Sequence, residues 1–220
     1  GWKRTLAPIP RIVARAEQAL QILERYKRRL DTVNQSLSAL EVEDLVTLRE
    51  VVAVLQRAEM VRRIAAEIED YIVELGADGR LVQLQLEELF HGVEDELRLV
   101  VQDYFVASPD WDLEKVTTVL GELNTEALLD AAAVAEVLHL GADVDLESGL
   151  QPHGYRLLSK IPRLPDGVAD KVVGRFSSLQ SLMRASVSDL VEVEAVGESR
   201  ARAIKEGLSR LAESSILERY

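Results

Sequence analysis

The 220-residue chain contains no cysteine, two methionines and only 5% aromatic residues. Without thiols there is no disulfide staple and no thiolate metal site, which suits a reducing compartment. Long apolar runs are also missing. The longest fully apolar stretches, such as 51–55 and 131–135, fall far short of the roughly 20 residues needed to cross a bilayer. No signal-peptide pattern opens the chain, so a soluble cytoplasmic protein with no membrane partner is expected. Sustained period-two alternation bounded by turns is absent before residue 140, which argues against a sheet. His91, His139 and His153 share no metal-ligand spacing and read as surface or packing residues. Trp2, Trp111, Tyr155 and Phe176 form no stacking row for single strands.

What is present is enough apolar content, 47%, to fill a core, in a length that suits two domains. Charge is divided unevenly. Residues 1–150 carry 15 Lys+Arg against 29 Asp+Glu, whereas residues 151–220 carry 11 against 9. A polyanion should therefore prefer the C-terminal segment.

After Pro8 and Pro10, apolar residues recur in two interleaved seven-residue rows: Ala16, Leu23, Leu30, Leu37 and Ala19, Tyr26, Val33, Leu40. This a/d seam, widened by Leu20 and Ile22, predicts a long helix that needs a partner, with Arg25, Lys27, Arg28 and Arg29 mostly outward. Thr47 and Glu50 have the form of a capping box. The pattern from Leu48 to Leu75 predicts a second helix stopped at Gly76. Past the 76–79 turn, a third helix is predicted over about 81–104, with shorter ones after Asp110 and after Asn124. Residues 141–154 hold three glycines, one proline and three acids with little periodicity, and read as an acidic linker. Asp143, Asp145, Glu147 and Gly149 lack the glycine position and closing Glu of a calcium loop, so the solvated linker is the better reading. Glu87-Glu88 and Glu94-Asp95-Glu96 read as a solvated helix face rather than an acid/base pair.

The last seventy residues contain a repeat. A shift of 32 aligns Leu158 with Leu190, Ile161 with Val193, Leu164 with Val196, Pro165 with Gly197, Ala169 with Ala201, Val172 with Ile204 and Phe176 with Leu208. Each copy reads as a helix, an apolar hairpin tip, and a second helix with a small alanine at a close approach. This resembles the helix-hairpin-helix family in its five-helix tandem form. In the second copy, "VEAVGESRARAI" (193–204), a glycine tolerating positive φ can turn backbone amides outward at the positive end of the next helix. A phosphate is the expected occupant. Val196, Gly197, Glu198, Ser199 and Arg200 form the candidate DNA site, with Arg202 and Lys205 peripheral and Arg163, Lys160 and Lys171 adding charge from the first copy. Both copies depart from the family's Gly-x-Gly tip: Ala195 precedes Gly197 in the second, and Arg163 and Pro165 occupy the first, where Pro165 offers no N–H. The second hairpin is therefore expected to bind and the first to be partly structural. The competing reading is an oligomerisation or adaptor module whose hairpins dock protein.

The stretches "LSALEVEDLVTLREVVAVLQRAEMVRRIAAEIEDYIVELG", "DGRLVQLQLEEL" and "GLSRLAESSILERY" resemble the DisA family of bacterial DNA integrity scanning proteins from residue 16 to 220. The resemblance implies an all-α chain: a helical bundle or spine over 12–140, the linker 141–154, and a tandem helix-hairpin-helix domain over 155–220. Residues 1–11 would be a trimmed remnant or the end of a preceding cyclase domain. It further implies cyclic di-AMP synthesis from ATP in that cyclase domain, suppressed by branched DNA, a nucleoid location, and possible self-association through the spine. The cyclase motifs Asp-Gly-Ala and Arg-His-Arg do not occur here; Asp78-Gly79 is followed by Arg80. No catalytic residue, metal or cofactor is expected for these 220 residues. Incubated with ATP and a divalent metal, purified 1–220 is expected to form no cyclic di-AMP; turnover detected by chromatography would contradict this.

Overall fold

The computed structural model describes residues 8–218 and is all-α. Trp2 and the other residues of 1–7, with 219 and 220, lie outside the described residues. Helices α1 (Ile9–Glu43), α2 (Leu48–Leu75), α3 (Arg80–Phe90), α4 (Val93–Tyr104), α5 (Leu113–Glu122), α6 (Thr125–Leu129) and α7 (Ala131–Glu136) come first. Five more follow: α8 (Tyr155–Leu158), α9 (Asp166–Phe176), α10 (Leu179–Arg184), α11 (Val187–Val191) and α12 (Glu198–Leu217). Pairing of β type among the described residues is limited to two isolated bridges, Thr47 with Gly149 and Ser108 with Trp111.

Pro10 sits in the first turn of α1, where its missing N–H would have had no intrahelical acceptor. The row Ala16, Leu23, Leu30 and Leu37 is wholly buried, while Ala19, Tyr26, Val33 and Leu40 are half-buried. Each fully buried leucine contributes about 2 kcal/mol of apolar transfer. The helix ends in a left-handed residue, Asp44 (φ 57), with Leu45 N–H donating to Leu40 O (3.0 Å) and Asp44 N–H to Glu41 O (3.3 Å). These two bonds satisfy carbonyls that the helix end leaves open.

Three expectations are corrected by the structure. The predicted helix over 81–104 is two helices, because His91 turns extended (ψ 125) and Gly92 takes φ 78, a conformation open to glycine at no steric cost. The capping box at α2 is half formed: Glu50 Oε2 accepts from Thr47 N–H (2.8 Å), yet the Thr47 hydroxyl also donates to that carboxylate instead of accepting from the backbone. The first amides of α2 are served by the loop at 141–154, with Leu48 N–H donating to Ser148 O (3.0 Å) and Arg49 N–H to Leu146 O (2.9 Å). That segment lacks helix and strand as expected, but it is docked rather than free. Leu150 N–H bonds Val46 O, and Arg49 pairs with Glu147.

Internal contacts divide the chain into two units along a line other than the expected break at 141–154. One unit takes the residues up to 32 together with 57–95, with a core including Leu20, Leu23, Val61, Ile68, Val82 and Leu86. Within it the buried Glu59 carboxylate accepts from Arg62 at both oxygens (2.9 and 2.7 Å) and from Arg63 (2.9 Å). The other unit takes 33–56 with 96 onward, so the five C-terminal helices share a unit with parts of α1, α2 and α4.

Within this second unit the repeat has its own core, in which Leu158 and Leu190, Ile161 and Val193, and Val172 and Ile204 are buried as pairs 32 residues apart. The matching hairpin bonds repeat too: Ile161 N–H to Leu158 O and Val193 N–H to Leu190 O, both 3.1 Å. α12 presses close to the first hairpin at Gly207, where a Cβ would lie 2.9 Å from Ile161 Cγ1.

The repeat is fastened to the rest of its unit by a buried polar cluster. Asp103 of α4 accepts three successive backbone N–H groups at the start of α8, from Gly154 (3.0 Å), Tyr155 (2.8 Å) and Arg156 (3.0 Å). The buried Arg156 guanidinium donates to Glu41 of α1 and to Asn34 O (3.3 Å), and Glu41 also accepts from Tyr104 Oη (2.7 Å). Burial pushes the Glu41 carboxyl from 4.5 up to about 7, against the pull of Arg156. Burial likewise raises Asp103, opposed by its backbone donors, and raises Tyr104 with help from the Glu41 charge.

Two predictions follow from these contacts. A carboxyl whose folded pKa exceeds its unfolded one contributes stability fully below about 4.5 and loses it as the pH rises to about 7. Relative to Glu41→Gln, the wild type should therefore lose unfolding free energy over that interval, on the order of 1–3 kcal/mol in urea titrations. Ala195, exposed at φ 68, holds a left-handed conformation costly for a residue with a Cβ, so Ala195→Gly should stabilise the chain by about 0.5–1 kcal/mol in the same assay.

Candidate nucleic-acid interface

The second hairpin closes on Val196, which is buried and whose N–H bonds Val193 O (3.1 Å). Gly197 then serves as N-cap of the 20-residue α12. The expectation of a positive φ at this glycine is corrected: Gly197 has φ −84 and ψ 176, ordinary extended backbone, and the left-handed residue is Ala195. In the first hairpin the left-handed residue is Arg163 (φ 63), again 32 positions earlier. The chain reverses two residues before each N-cap, Pro165 and Gly197. A Cβ placed at Gly197 would have no neighbour within 4 Å, so packing within the chain does not call for glycine there and the position faces open space.

The first backbone bond into α12 is Ala201 N–H to Gly197 O (2.9 Å). The amides of Gly197, Glu198, Ser199 and Arg200 have no backbone or side-chain acceptor among the described residues. Four open donors at the positive end of a long helix suit an anion. The first hairpin is poorer. Pro165, the N-cap of α9, has no N–H, and Val168 N–H is already bonded to Pro165 O (3.0 Å). Asp166 in the first turn of α9 matches Glu198 in the first turn of α12, so this acid does not distinguish the two hairpins.

The candidate side chains separate into those at the tip and those drawn elsewhere. Ser199 is exposed beside the open amides. Arg200 folds back so that its guanidinium donates to Ala195 O (2.8 Å), which holds it over the bend. Arg202 lies one turn on and pairs with Glu198 (2.6 Å), a contact that an arriving phosphate would have to compete with. Lys205 turns away, donating to Met183 O (2.9 Å) and Ala185 O (2.6 Å) at the end of α10, so its charge is spent on those carbonyls. Lys160 reaches Ser38 Oγ (3.0 Å) inside the unit, and burial followed by the Arg156 charge lowers its pKa. Lys171 stands 3.6 Å from Glu194, beside the second hairpin although it belongs to the first copy. Arg163 is exposed and has no ion pair among the described residues.

Some participants were not legible from the pattern. Arg175, one turn after Lys171 on α9, lies 3.6 Å from Glu192; its i,i+4 spacing from Lys171 was the available signal. Arg156, Asp103 and Glu41 gave none, because their partners lie more than fifty residues apart in sequence. Two histidines make specific contacts, and His91 is exposed at the C-cap of α3. His139 stacks on Trp111 with centroids 3.9 Å apart and 5° between planes, and His153 Nδ1 meets Ser177 O at 3.0 Å. Asp145 accepts from Glu147 N–H (2.9 Å), and no cluster of three His, Cys, Asp or Glu able to hold a metal occurs among the described residues. No helix among them is long and apolar enough to cross a membrane.

Comparison with known proteins converges on one family. The family model for the DisA bacterial checkpoint controller linker region matches residues 6–147. The DNA integrity scanning protein DisA of Acidothermus cellulolyticus is 55% identical over 223 aligned residues, covering 100% of this chain and 61% of that protein. The DisA of Parafrankia sp. is 57% identical, with 100% and 62% covered, and that of Streptomyces coelicolor 54%, with 100% and 60%. The chain thus spans about 60% of the length of these relatives, and the part of the family it matches by model is the linker, not the cyclase. A linker match over more than half its residues, and identity above one half from end to end, mean that the chain belongs to the DisA family.

Proposed function

We propose that the second hairpin binds the phosphate backbone of DNA without sequence preference, favouring branched or four-way-junction DNA. The chain then serves as the DNA-sensing and linker portion of a DisA-like cyclic di-AMP synthase. The observation that carries this reading is the run of four open amides over positions 197–200, with no Cβ at Gly197 to hold a ligand off. A phosphate oxygen would accept from these amides while Ser199 Oγ donates a further bond and Arg200 supplies charge. Such contacts position a duplex but read no base edge, so DNA shape and salt govern affinity. The name of the relatives, DNA integrity scanning protein, points to the same ligand class. Cyclic di-AMP synthesis, its control by DNA, association with the nucleoid and self-association through the linker helices belong to this reading of the whole protein.

Labelled four-way junction and linear duplex, titrated at two salt concentrations, test it. Binding should weaken steeply with salt, by a slope of about −0.9 for each phosphate engaged. Gly197→Asp should lower junction affinity at least about tenfold with helicity unchanged, because Asp is a favoured N-cap residue that would direct its own carboxylate at the open amides. If neither DNA binds at low salt, the DNA reading fails and protein docking is the reading left to test.

A further inference from the structure

The cations beside the second hairpin are held by carboxylates of that same hairpin. Lys171 and Arg175 lie one turn apart on α9. Lys171 Nζ is 3.6 Å from Glu194 Oε1, and an Arg175 guanidinium nitrogen is 3.6 Å from Glu192 Oε2. Glu194 comes immediately before the left-handed Ala195 and three residues before Gly197, while Glu192 caps the end of α11. All four side chains are well exposed; Glu194 is 86% accessible and Lys171 44%. Solvated pairs this loose are weak and readily exchanged. Neither acid is needed to build the hairpin, whose core residues are Leu190, Val193 and Val196.

We infer that Glu192 and Glu194 are an electrostatic latch on the phosphate site: they hold Lys171 and Arg175 beside the second hairpin and yield them when DNA phosphates displace the carboxylates. This deepens the DNA-binding reading and rests on it. The first copy then contributes through α9 to the site of the second, which explains how basic residues serve binding although the first tip has Pro165 in place of a donor. Because the pairs are weak, DNA phosphates over α9 exchange with the two carboxylates, whose competition for the cations lowers affinity without blocking it.

The test uses the whole 1–220 chain and a labelled four-way junction over a salt series. Glu192→Gln with Glu194→Gln is compared with a control of equal charge change, Glu87→Gln with Glu88→Gln. The latch variant should bind roughly three- to tenfold more tightly than the control, with a salt slope steeper by up to about two phosphate contacts. In a Lys171→Gln, Arg175→Gln background the same pair of glutamate changes should gain no more than the control. Junction binding by the wild type, with the latch variant indistinguishable from the control or with its gain surviving loss of Lys171 and Arg175, overturns the latch and leaves the DNA reading standing. Absence of wild-type binding removes both. Circular dichroism melting of each variant checks that these exposed substitutions leave the fold unchanged.

Discussion

The structure of the second unit depends on how a buried carboxylate, Asp103, is satisfied. Its oxygens accept the amides of the N-cap Gly154 and of the first two residues of a four-residue helix, α8, that is too short to hold together by its own bonds. Helix α8 opens the first helix-hairpin-helix copy, so the carboxylate of α4 decides where the whole repeat begins. Arg156, held at its backbone by Asp103, extends its guanidinium into α1 and finds Glu41 and Asn34. Each buried charge faces an opposite charge or a full set of donors, and no buried side-chain polar atom among the described residues lacks a partner. Breaking such a cluster at one member leaves the others uncompensated in a low-dielectric site, which is far costlier than losing a surface pair.

From that anchor the repeat builds its own core and ends in a candidate site made of open backbone amides. The left-handed residues Arg163 and Ala195 and the N-caps Pro165 and Gly197 stand at matching positions, so both hairpins share one backbone path. They differ in chemistry because one tip residue is an imino acid and the other is glycine. The asymmetry concentrates open donors at α12 and leaves α9 to contribute side-chain charge. The carboxylates of Glu192, Glu194 and Glu198 temper that charge in the unbound chain.

Much of the fold was legible locally. The seven-residue row in α1, the Leu48 to Leu75 pattern ended by Gly76, the short helix after Asn124 and the 32-residue repeat all depend on spacing and turn chemistry that neighbours in sequence impose on one another. The break at Gly92 was hidden because apolar periodicity continues across it from Leu86 through Val93 to Val100. The candidate site was marked in the sequence by the glycine and charge at Gly197, Ser199 and Arg200, but the left-handed turn expected at Gly197 lies elsewhere. The positive φ sits at Ala195, a residue type that rarely signals a left-handed turn.

By itself the sequence determined the helical class, the paired hairpins and the basic bias of the final seventy residues, since each follows from periodicity or composition within a short window. Only the tertiary structure decided which charges are available. It spent Lys205 on the carbonyls of α10, drew Lys160 to Ser38, buried Arg156 against Glu41, and set Lys171 and Arg175 beside carboxylates of the other hairpin. A side chain's charge is written in its residue type, but its partner is set by which distant backbone the fold brings within about 4 Å.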